Sequence, residues 1–116
     1  MFDFEKLEVY HKTKKLNKEA FQLAESLRNQ IDLHFINQWK RASLSILLNI
    51  AEGAGRQSVN DKKHFYTIAR GSLYECVALL DLLNEFQYIE AAKYQALYEE
   101  YEEVSKMLLS LYRSAG

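Results

Sequence analysis

The chain has no proline, one cysteine, one tryptophan and four glycines in 116 residues, and each scarcity removes a class of structure. Without proline no helix is obliged to kink, and glycine confined to positions 53, 55, 71 and 116 leaves little turn chemistry for a β-rich fold. The lone Cys76 excludes an intrachain disulfide framework and a cysteine zinc cluster, and reads as a small core residue. No run of about 18 apolar residues is available to span a bilayer. The opening MFDFEKLEVY lacks the basic region and apolar run of a signal peptide, so a cytoplasmic location is expected. A net charge of −1 argues against both a strongly basic nucleic-acid binder and an acidic disordered chain.

What is present is helix-forming. Hydrophobic residues make up 48% of the chain, enough for one core and one domain over residues 1–116. Val9, Thr13, Leu16, Ala20, Leu23, Ala24 and Leu27 recur at helical spacing and predict a first helix over about residues 4–29, followed by a connection at 30–34. A second helix is expected over 35–53, with Gly53 and Gly55 supplying a helix end and turn. Ser58 and Asp61 suggest a capping box for a third helix over 59–85, whose predicted core face is Phe65, Ile68, Ala69, Ser72, Cys76, Leu79, Leu80 and Leu83. After a tight connection at 86–89, Tyr94, Leu97, Tyr101, Val104, Leu108 and Leu111 form a heptad-like seam on a fourth helix ending near Ser114. Short connections between long helices imply an all-α, antiparallel up-down-up-down four-helix bundle.

The second helix carries more apolar surface than a monomer needs. Phe35, Trp39, Ala42, Ile46, Asn49, Ile50 and Gly53 share one face, while Leu44, Leu47, Leu48, Ala51 and Ala54 crowd another. A small protomer readily buries only one such face, so Leu44, Leu47, Leu48 and Ala51 are expected at an oligomer interface. Charge is also uneven: residues 1–63 carry 11 Lys/Arg against 8 Asp/Glu, and residues 64–116 carry 4 against 8. Opposite charge on the two halves favours contact between them, within or between chains.

Three groups of polar residues are candidates for chemistry. Asn49, Glu52, Arg56, Arg70 and Glu75 include two carboxylates, but no histidine, nucleophile or phosphate-cradling loop accompanies them. They are expected to form a structural polar network holding the second helix to the third. Lys14, Lys15, Lys18, Lys40 and Arg41 form a basic patch suited to nucleic-acid phosphates. Glu99, Glu100, Glu102 and Glu103 of the fourth helix are the groups placed to neutralise it. The spacings Glu8-x-x-His11 and Asp61-x-x-His64 evoke di-iron bundles, yet Glu8 and His11 project away from the apolar stripe, so no metal site and no cofactor is expected.

The elements Arg41-Ala42-Ser43-Leu44-Ser45-Ile46, Asn49-Ile50-Ala51-Glu52-Gly53 and Ala69-Arg70-Gly71-Ser72 with Glu75, together with Phe4, Leu7, Val9 and Tyr10, carry a resemblance over essentially the whole chain. The sequence resembles the 23S rRNA intervening-sequence proteins, also called four-helix bundle proteins. Leu47 stands where that family commonly has proline, and Tyr10 where tryptophan is frequent. The resemblance implies a helical bundle assembled as a homopentamer, a gene of the type inserted in bacterial ribosomal RNA genes, and no enzymatic activity. The family in turn resembles the accessory variability proteins of diversity-generating retroelements, basic pentameric barrels that bind nucleic acid. The expected function is a non-enzymatic homo-oligomeric scaffold that binds a protein or nucleic-acid partner. An RNA- or DNA-binding accessory module is the alternative, and a metal-dependent bundle enzyme a remote one.

Overall fold

The computed structural model describes residues 1–115. A short 3-10 helix (Asp3–Lys6) leads into four α-helices: α1 (Glu8–Ser26), α2 (Leu33–Ala54), α3 (Val59–Glu85) and α4 (Ala91–Ser114). Their ends follow local hydrogen-bond chemistry. The Asp32 side chain accepts from the His34 amide at 2.8 Å to start α2, and the Ser58 hydroxyl accepts from the Asp61 amide at 3.1 Å to start α3. At the far end of α3, Gln87 adopts a left-handed φ of 61°. Its amide donates to the Asn84 carbonyl at 3.1 Å and the Tyr88 amide to the Leu83 carbonyl at 2.9 Å, the paired bonds of a Schellman stop. The first helix starts later than its apolar pattern suggests, because residues 3–6 tighten into the 3-10 turn and pack on α1 and α2.

Each helix packs antiparallel against the next and α4 closes on α1, giving a bundle of 44 × 23 × 22 Å. The α2/α3 seam is the most extensive and the α1/α4 seam the least of the four. Polar bonds stitch the seams from inside. The Asn17 amide donates to the Ser43 carbonyl at 2.7 Å, the Trp39 indole donates to the Ala20 carbonyl at 3.0 Å, and the Ser45 and Ser72 hydroxyls meet at 2.6 Å. The core is filled by Leu16, Ile46, Ile50, Leu73, Leu80, Leu97, Val104 and Leu108, with Trp39 edge-on to Tyr101 at 6.2 Å. Burial pushes the Cys76 thiol up to about 11 and the Tyr101 phenol well above its ordinary range. Cys76 is therefore an unreactive core group at neutral pH.

Two sequence expectations are corrected here. The core face of α3 is rotated, so that Tyr66 and Leu73 are buried while Ile68 is exposed and Phe65, Ser72 and Leu79 are only half-buried. Gly55 caps α2 as expected, though no glycine among the described residues has a positive φ, and the helix runs one residue past Gly53. The function of Gly53 is close approach: a Cβ there would lie 2.6 Å from Tyr66 Cε1 and 3.0 Å from Phe65 Cβ. The missing side chain lets the Tyr66 ring approach the α2 backbone closely.

Candidate assembly face and basic edge

The outward side of α2 holds the candidate assembly residues, and the protomer leaves most of it uncovered. Leu48 is 59% exposed and Leu44 44% exposed, whereas Leu47 and Ala51 are half-buried. Ala54, which the sequence groups with them, is buried. Leu44 and Leu47 also form one wall of an apolar groove of about 520 Å³ between α1 and α2, whose other wall includes Phe21 and the stems of Lys14 and Lys18. The face is thus continuous from α2 onto α1. It is bordered by the exposed Arg41 and Glu52.

The basic patch is divided by the fold. Lys40 is paired with Glu25, and its ammonium also stands 5.9 Å over the Phe21 ring. The same ion pair draws the Glu25 carboxyl below its ordinary range, with Arg28 contributing at 3.5 Å. Lys14 sits 5.5 Å over the Tyr10 ring. Lys15 turns toward α4, where it faces Glu100, and the neighbouring Lys12 pairs with Glu103 at 2.6 Å. Lys14 and Lys18 have no carboxylate partner among the described residues. Helix α4 therefore engages one member of the patch within the protomer, Lys15 through Glu100, while Glu103 takes the neighbouring Lys12 and the α1/α2 edge stays positive.

The five residues expected to form one polar network lie in separate pairs. Arg56 and Glu52 meet at 3.5 Å as an exposed i, i+4 pair, and Arg56 also lies 4.6 Å over the Phe65 ring. The Asn49 amide donates back to the Ser45 carbonyl at 2.8 Å and to its hydroxyl at 3.1 Å. Glu75 accepts from the Gln38 amide at 3.1 Å, and Arg70 donates to the Tyr74 hydroxyl at 3.4 Å. Among the described residues no bond joins Arg70 or Glu75 to Glu52 or Arg56; the α2/α3 seam is bridged instead by Ser45–Ser72 and Gln38–Glu75. The serines carried no sequence signal as a pair, because only the helix register brings them opposite one another. Glu8, His11, Asp61 and His64 are all exposed, and His11 Nε2 lies 2.7 Å from the Glu5 carbonyl. Among the described residues no group of three or more His, Cys, Asp or Glu is placed to hold a metal ion. Among the described residues no helix is long and apolar enough to cross a membrane.

Residues 5–110 match the profile of the 23S rRNA-intervening sequence protein family. The chain belongs to that family. A crystal structure of a protein of unknown function from the S23 ribosomal protein family of Bacteroides thetaiotaomicron VPI-5482 is similar to it. The two share 26% identity and a TM-score of 0.85, over 90% of this chain and 95% of that one. No curated protein matches the sequence. The likeness to that crystal structure extends over the four-helix fold; the exposed leucines of α2 and the α1/α2 edge lie on this chain's own surface.

Proposed function

We propose that this intervening-sequence protein is a non-enzymatic, homo-oligomeric scaffold whose assembly presents a surface to a protein or nucleic-acid partner. One observation carries the reading: Leu44 and Leu48 stay exposed on a bundle whose core is already complete. Burying a leucine side chain contributes about 1.5–3 kcal/mol, so copies that cover this face gain a driving force the lone protomer forgoes. A pentamer is the assembly favoured by the family resemblance. The double variant Leu44→Glu/Leu48→Glu tests the reading, since both side chains reach solvent in the protomer and the helix tolerates glutamate. It is expected to retain its helical circular dichroism and to elute as a monomer. An assembly unchanged in size would show that copies meet elsewhere.

The second reading, an RNA- or DNA-binding accessory module, is supported by the unpaired Lys14 and Lys18 on the α1/α2 edge. In a ring of copies each protomer would contribute such an edge, and weak contacts would add. Binding of this kind weakens steeply between about 50 and 200 mM salt. Fluorescence anisotropy with single-stranded and duplex RNA, for the wild type and for Lys14→Gln/Lys18→Gln, separates this reading from the scaffold alone.

A further inference from the structure

The antiparallel topology sorts charge to the two ends of the bundle. Residues 1–17, 44–72 and 103–115 gather at the end that holds the start of α1, and carry ten Lys/Arg against six Asp/Glu. Residues 18–43 and 73–102, at the opposite end, carry five against ten. Toward the basic end a cleft of about 390 Å³ opens between α3 and α4, lined by Thr67, Arg70, Gly71, Tyr74, Leu109 and Tyr112. Arg70 is the single charged residue in that lining, and no carboxylate shares it.

Arg70 is underbonded where it stands. Its guanidinium lies 5.5 Å from the Tyr74 ring centroid, its contact with the Tyr74 hydroxyl is a long 3.4 Å, and its Nε is buried without an acceptor. It has no ion-pair partner among the described residues, and neither has Lys63, whose ammonium stands 5.0 Å over the Tyr112 ring. Gly71 is equally unexplained by the protomer. It is exposed within a 27-residue helix, and a Cβ there would meet nothing within 4 Å. Glycine at such a position weakens the helix and relieves no contact, which leaves a strip of backbone open to something from outside.

We propose that this cleft binds a nucleotide unit, its base against the Tyr74 and Tyr112 rings and its phosphoryl group on Arg70 and Lys63. A guanidinium with free donors suits phosphoryl oxygens, and aromatic walls stack any nucleobase. A carboxylate from a protein partner would use Arg70 and leave the tyrosines and the Gly71 strip without purpose. The proposal is independent of self-association and of the Lys14/Lys18 edge, and it names a different part of the surface.

The test is a titration of the full-length protein, followed by amide NMR shifts at about 50 mM salt, where phosphate contacts are least screened. The probes are a mononucleotide, a single-stranded oligonucleotide of ten residues, inorganic phosphate and a glutamate-rich peptide. Both nucleotide probes are expected to move the Thr67, Arg70, Gly71 and Tyr112 signals. Tighter binding of the oligonucleotide identifies a strand as the ligand, and equal affinity per site identifies a free nucleotide. Arg70→Gln is expected to weaken binding about tenfold or more, the scale of one lost stacking or charged contact. Gly71→Leu, which fills the cleft and keeps the helix, is expected to do the same without lowering the melting temperature, and it decides alone if Arg70→Gln fails to fold. Lys14→Gln/Lys18→Gln is expected to leave these shifts unchanged. Saturation of the same signals by inorganic phosphate or the acidic peptide at equal concentration would overturn the proposal, as would nucleotide binding within twofold of wild type in Gly71→Leu.

Discussion

Gly53 and Gly71 both lie inside long helices, where glycine costs about 1 kcal/mol relative to alanine, yet their surroundings demand opposite outcomes. At Gly53 an added methyl meets the buried Tyr66 ring at 2.6 Å, and that ring is enclosed by the bundle. Gly53→Ala is therefore expected to lower stability by about 1–3 kcal/mol, the scale of overpacking in a filled core. Gly71→Ala is expected to raise it by about 1 kcal/mol. Urea unfolding curves check the pair, and a Gly53→Ala protein more stable than wild type would refute the close-packing role. A second residue-scale expectation concerns Tyr101, whose fully buried hydroxyl sits beside Cys76 and Ser43 without reaching a partner in hydrogen-bond geometry. Tyr101→Phe removes an unsatisfied polar group, so its unfolding free energy should be unchanged or higher by up to about 1 kcal/mol; a loss of 2 kcal/mol would reveal a bond to that hydroxyl. The burial of Tyr101 was legible from its place on the α4 seam, but neither the state of its hydroxyl nor the role of Gly53 was. Gly53 resembled a helix stop because a letter shows that a side chain is missing and not which ring fills the space.

At the scale of the helices, the apolar stripes of α1 and α4 were readable because their polar and apolar residues alternate cleanly. Val9, Leu16, Ala20 and Ala24 are buried on α1, and Leu97, Tyr101, Val104 and Leu108 on α4. The face of α3 was misread because apolar side chains surround much of that helix, so its sequence pattern has no sharp direction; contact with α2 and α4 selects Tyr66 and Leu73 over Ile68. The α1/α4 seam adds a pH response. Burial and the facing Glu19 raise the Glu100 carboxyl above its ordinary value, against the opposing pull of Lys15 and Lys93, and one Glu100 oxygen is buried without a donor. A carboxyl whose folded pKa is raised contributes stability that is complete below its unfolded value of 4.5 and is lost as pH rises through the folded value. Glu100→Gln keeps the shape and removes that loss. Its melting temperature should exceed the wild type's at pH 7 and approach it near pH 4; an equal offset at both pH values would mean that the Glu19–Glu100 contact does not titrate.

For the whole molecule, the four-helix architecture follows from chain-local signals: no proline, short connections and long amphipathic segments. The site was only half legible, for the same physical reason. Leu44 and Leu48 fall outside the core-facing stripe of α2, so their exposure on the protomer can be read from spacing alone. A polar constellation depends on the relative rotation and register of two helices, which is why Asn49, Glu52, Arg56, Arg70 and Glu75 separate into pairs while Ser45 and Ser72 meet. The exposed Glu52–Arg56 pair is correspondingly minor, of the order of 0.3–0.5 kcal/mol for such i, i+4 contacts.

Self-association through the α2 face is the claim on which the function rests, and the mass of the wild-type protein in solution tests it most directly. Light scattering coupled to size exclusion, at micromolar concentration and near-neutral pH, is expected to give an integral multiple of the 13.6 kDa protomer, five for the assembly favoured by the family resemblance. A single species at 13.6 kDa across that range would contradict it.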